Sequence, residues 1–135
     1  MSAGPETRLV NRIREAIAKQ YPNSWTVKFH GNAYSTAGIP DILGHVEGKF
    51  FAIEVKYRAP GRSLSSSGHG VSPVQQAQID RINLTGAVSG VAISVEEALS
   101  LVEAARSETL EDHLRNCPAA AHEAPGPRDG GDTDA

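Results

Sequence analysis

I-P-D-I-L-G-H-V-E-G-K-F-F-A-I-E-V-K, residues 39–56, is the stretch on which the reading of this chain turns. It holds two apolar segments separated by Glu47-Gly48, the composition of a tight turn, so the spacing predicts a hairpin of strands at about 40–46 and 50–57. Side chains alternate across a strand, which sets Phe51, Ile53, Val55 and Tyr57 on one face and Phe50, Ala52, Glu54 and Lys56 on the other. A hairpin turning at 47–48 brings Asp41 close to opposite Glu54. A buried carboxylate with no partner costs several kcal/mol, so Glu54 and Lys56 must pair with each other or meet a cation. Two carboxylates and an ammonium in this arrangement suit a divalent ion, Mg²⁺ or Mn²⁺, with Lys56 placed to orient or deprotonate an attacking water. Such sites hydrolyse phosphodiesters.

Working outward, residues 5–21 carry Leu9, Val10, Ile13, Ala16 and Ile17 at helical spacing, with Arg8, Arg12, Arg14, Glu15 and Lys19 on the other side. Glu6 falls within the apolar stripe, which aims it at the sheet; its other reading is a carboxylate complementing the positive end of the helix. Trp25, Val27 and Phe29 alternate with Thr26, Lys28 and His30 as in a half-buried strand. Ser72-Pro73 opens a second helix to about residue 84, with Val74, Ala77, Ile79 and Ile82 as candidate buried positions and Gly86 as its stop. Gln75 stands at capping-box spacing from Ser72, which reads first as a helix cap; the other reading is an amide that orients water or touches the phosphate beside Lys56. Residues 90–94 form a short strand, and Ser94 with Glu97 caps a last helix. The order helix, three strands, helix, strand, helix predicts a small mixed α/β sheet flanked by helices, its fourth strand parallel to a hairpin strand by right-handed crossover.

Composition narrows the alternatives. At 135 residues the chain suits one domain, and Cys117 alone permits neither an internal disulfide nor a thiolate metal cluster. No apolar run reaches the length of a membrane span and the N-terminus has no signal-peptide core, so a cytoplasmic protein is expected. The net charge of −3 is uneven: residues 1–106 hold eleven basic against nine acidic side chains, and residues 107–135 hold two against seven. The acidity belongs to the tail and does not argue against DNA as partner. A domain over 1–116 is expected, with a mobile Gly/Ser-rich loop at about 58–71 and a disordered acidic tail at 117–135. Lys28, His30, Arg58 and Arg62 are candidate phosphate contacts, or simply solvated charges.

Glu6, G-I-P-D at 38–41, A-I-E-V-K at 52–56 and S-P-V-Q at 72–75, in this order and spacing, resemble the PD-(D/E)XK nuclease superfamily and within it the virus-type replication and repair (VRR-NUC) nucleases. The resemblance covers residues 5–104 and implies a restriction-endonuclease-like α-β-β-β-α-β-α core. It implies that Glu6, Asp41 and Glu54 ligate metal, that Val55 adds its backbone carbonyl, that Lys56 is the catalytic lysine and that Gln75 is a further active-site residue. It also implies a homodimer, encoded by a phage in many relatives and acting then in the host cytoplasm, that cuts branched DNA such as four-way (Holliday) junctions in repair and recombination. The alternative is a non-catalytic nucleic-acid-binding or accessory protein on the same fold.

Overall fold

The tight turn at Glu47-Gly48 organises the fold. Both residues have positive φ, 50° and 80°, the backbone of a two-residue turn whose twist matches its flanking strands. In the computed structural model, which describes residues 3–59 and 70–107, the turn joins β2 (Ile42–Val46) to β3 (Lys49–Val55). They pair antiparallel with Ile42 opposite Ile53, so Asp41 and Glu54, one step further out, face each other as the hairpin spacing requires.

The sheet is completed by β1 (Ser24–Lys28), antiparallel on β2, and β4 (Val88–Ala92), parallel to β3, in the order β1-β2-β3-β4. Three helices among the described residues flank it: α1 (Pro5–Gln20), α2 (Pro73–Leu84) within the β3–β4 crossover, and α3 (Val95–Ser107). The α-β-β-β-α-β-α order is the one read from the sequence. The expected loop, the tail, Arg62 and residues 108–116 lie largely or wholly outside the described residues.

One face of the sheet carries the core. Phe51, Ile53 and Val55 of β3 and Ile42 and Val46 of β2 are fully buried beneath Leu9, Val10, Ile13 and Ile17 of α1 and Ala98, Val102 and Ala105 of α3. Gly44 sits in this layer because a Cβ there would come within 2.6 Å of both the Phe51 ring and the Trp25 carbonyl. Gly90 likewise leaves room for Leu101.

Among the described residues the opposite face is only half covered, because α2 packs chiefly on β4 and β3. This corrects the expectation for β1. Trp25 and Val27 point to the open side, Trp25 being 59% exposed in a row with His45 and Phe50, while half-buried Thr26 turns inward and accepts a hydrogen bond from Arg14 Nε at 3.1 Å. The buried stripe of α2 is narrower than expected too. Only Ile79 is buried; Ile82 is half-buried, Ala77 exposed and Val74 49% exposed, because the helix meets the sheet along one edge. No described helix is long and apolar enough to cross a membrane.

Candidate active site

Glu54 lies near the end of β3, on the face opposite the core, and is 2% exposed. Lys56 Nζ stands 3.4 Å from its Oε1, and Gln75 Nε2 donates to the same oxygen at 2.8 Å. The second oxygen, Oε2, is buried with no hydrogen-bond partner among the described residues. Burial, and then the charge of Asp41, push the Glu54 pKa up to about 7, against the downward pull of the Lys56 ammonium. Asp41 enters from the start of β2, where its Oδ2 accepts the Val55 N–H at 2.8 Å. That bond extends the hairpin by one side-chain rung and fixes the two carboxylates side by side.

Gln75 closes the helix start as its spacing predicts, and its amide nitrogen meets Glu54. Its Oε1 accepts the Ser72 N–H at 3.0 Å while Ser72 Oγ accepts the Gln75 N–H at 3.2 Å, a complete capping box, and its Nε2 remains for Glu54. The start of α2 and the buried carboxylate thus share one side chain. Ser72→Ala is expected to lower stability by about 1 kcal/mol, measured by denaturant unfolding, because one cap acceptor is lost.

Glu6 stands apart. The helical wheel aims it at the sheet, yet in the first turn of α1 it is exposed, and its Oε2 accepts the Tyr57 N–H at 3.4 Å, three residues beyond Glu54. Among the described residues no group of three or more His, Cys, Asp or Glu side chains gathers to hold an ion. What the structure brings together is therefore Asp41, Glu54, Lys56 and Gln75. This set still suits a hard divalent cation, since Mg²⁺ is commonly held by one or two carboxylates, with water and substrate phosphate oxygens supplying the rest. Among the described residues nothing donates to the buried Oε2 of Glu54, an acceptor that a cation would satisfy.

The candidate phosphate contacts are scattered. Lys28, half-buried, shares the inward face of β1 with Thr26, away from the carboxylates, and His30 is exposed just beyond the strand. Arg58 is exposed after β3. The residue that reaches the site is instead Phe29, just beyond β1, whose N–H donates to the Asp41 carbonyl at 2.8 Å. With Gly38, Ile39, Val74 and Gln75 it lines a pocket of about 400 Å³ that reaches Asp41. Sequence reasoning missed Phe29, although the register that pairs Lys28 with Ile42 implies its place opposite Asp41.

The site is thus a carboxylate pair, a lysine and a helix-borne glutamine gathered at one strand end of a mixed α/β sheet. The chain is similar to a solved structure titled "VRR_NUC domain protein", with 14% identity and a TM-score of 0.53 over 78% of this chain and 90% of that one. A second, titled "VRR_NUC domain", has 21% identity and a TM-score of 0.47 over 69% of this chain and 92% of that one. At such identities the first likeness establishes a shared fold. Neither protein-family models nor curated protein sequences match the chain.

Proposed function

We propose that this chain is a VRR-NUC-type, metal-dependent DNA endonuclease that hydrolyses phosphodiester bonds in branched DNA such as four-way junctions, acting as a homodimer. The observation that carries the nuclease reading is Glu54: a buried carboxylate with one oxygen held by Lys56 and Gln75, the other bare, and a second carboxylate beside it. A fold has no structural use for that arrangement, and a cation would relieve it.

Asp41 and Glu54 would hold Mg²⁺ or Mn²⁺, with the Val55 carbonyl and Glu6 as the further ligands that the family resemblance implies. The ion would supply Lewis-acid polarisation of the phosphoryl oxygen and a more acidic bound water. Lys56, with its side chain 21% exposed, orients or deprotonates the attacking water, or meets the charge that develops on phosphorus. Gln75 keeps Glu54 in place. The preference for branched DNA, and the dimer that would set two sites against two strands, rest on the family resemblance of the motifs.

The test is cleavage of labelled four-way junction, flap, single-stranded and linear duplex DNA in Mg²⁺, Mn²⁺ or EDTA, beside Asp41→Ala. The expected result is cleavage of the junction in either metal, none in EDTA and none by the variant. Cleavage that persists in EDTA, or is equal in the variant, sinks the mechanism. Binding without cleavage in every metal favours a non-catalytic module.

A further inference from the structure

The arginines of α1 divide into two kinds. Arg14 is held by the protein, its Nε and Nη2 donating to the side-chain and backbone oxygens of Thr26. Arg8 and Arg12 are exposed and enter no ion pair among the described residues; the one bond Arg8 shows is to the Ala3 carbonyl, at 3.1 Å. Four residues apart, they lie on one face of the helix about 6 Å apart along its axis, on the scale of successive phosphates in an extended strand. With Pro5, Asn11 and Tyr57 they line a groove of about 500 Å³.

Tyr57 ties this groove to the site. It directly follows Lys56, and strand alternation turns the two to opposite sides of the strand end, Lys56 to Glu54 and Tyr57, 42% exposed, to the arginines. Glu6 fixes the junction by accepting the Tyr57 N–H. Two guanidiniums, the Asn11 amide and a phenol offer donors and an aromatic face, and no carboxylate is among the residues that line the groove. Among the described residues the carboxylates near them are Glu6, engaged with the backbone, and Glu15, exposed on the same helix one turn beyond Arg12.

We infer that the Arg8–Asn11–Arg12–Tyr57 groove is a phosphate-binding track that carries the substrate DNA strand away from the site across the end of β3. This inference rests on the nuclease reading for its substrate, but not for its test. The guanidiniums bind consecutive backbone phosphates, and Tyr57 packs against the sugar or base between the track and Lys56.

Binding of fluorescently labelled junction and single-stranded DNA is measured by anisotropy in EDTA, where a metal-dependent enzyme cannot cut, across about 50–200 mM salt. Arg8→Gln/Arg12→Gln is expected to bind about tenfold more weakly and to flatten the slope of log K against log salt by about 1.5, at 0.7–0.9 per lost phosphate contact. Arg8→Lys/Arg12→Lys, which keeps both charges, retains the slope; so does Lys19→Gln, one charge removed from the same helix outside the groove. Circular dichroism checks that α1 is intact. An unchanged slope in the double glutamine variant, or an equal loss from Lys19→Gln, overturns the track. Slope loss without cleavage by the parent protein in Mg²⁺ or Mn²⁺ would refute the nuclease reading and leave the track standing; cleavage with an unchanged slope would do the reverse.

Discussion

Glu54→Gln is expected to give a protein that is more stable than its parent above pH 7 and yet cleaves DNA about a hundredfold to a thousandfold more slowly. The stability gain follows from the sign of the pKa shift. Burial and the Asp41 charge raise the folded-state pKa to about 7, above the usual 4.5, so the fold favours the protonated carboxyl. The stabilisation is fully present below pH 4.5, declines as pH rises and is gone above about pH 7. Glutamine imitates the neutral form and can still accept from Lys56 and Gln75, so parent and variant should match near pH 4 and diverge by up to about 3 kcal/mol at pH 8. The activity loss is of the size seen when one preorganised electrostatic group is removed. Adding Mg²⁺ should narrow the gap at pH 8 by stabilising the parent alone. Denaturant unfolding in EDTA at pH 5 and pH 8 checks the first half, and a gap that does not widen with pH would refute it.

Gly38→Ala should cost about 2–3 kcal/mol and lower cleavage about a hundredfold, although residue 38 bears no functional group. Its φ is +80°, where a Cβ costs about 1–2 kcal/mol. The added atom would also meet the Val74 carbonyl oxygen at 2.6 Å and its carbonyl carbon and Cγ1 at 2.8 Å. Val74 lies in the first turn of α2, one residue before Gln75, so relief of that clash moves the side chain that holds Glu54. A misplacement near 1 Å can cost about a hundredfold in rate. Thermal unfolding and single-turnover cleavage measured well below the transition separate the two effects; a variant with parental rate and stability would show that the glycine positions nothing.

The hairpin was legible because a two-residue turn leaves one register, and that register alone sets Asp41 against Glu54. The capping motif at Ser72 was legible for the same reason, a fixed short spacing. Where a reading needed knowledge of what lies on top of an element, it failed. Alternation in β1 separates Trp25 and Val27 from Thr26 and Lys28, but not which set meets a helix, and among the described residues the apolar set turned outward because α2 packs chiefly on β4 and β3. A helical wheel gives an angle for Glu6 and no position along the axis; in the first turn it is exposed beside Tyr57. Gln75 was left between two roles because a spacing shows one contact, whereas its side chain has an oxygen and a nitrogen to spend.

The shared glutamine also says when the site comes into being. Asp41, Glu54 and Lys56 lie within sixteen residues on one hairpin, which closes on microsecond timescales from local contacts. Gln75 arrives on the crossover helix, whose placement awaits the parallel pairing of β4 with β3, the kind of long-range closure that slows folding. The expected order is hairpin first and glutamine last, so a nascent chain carries its acidic pair open to water and gathers the finished site only as the sheet closes.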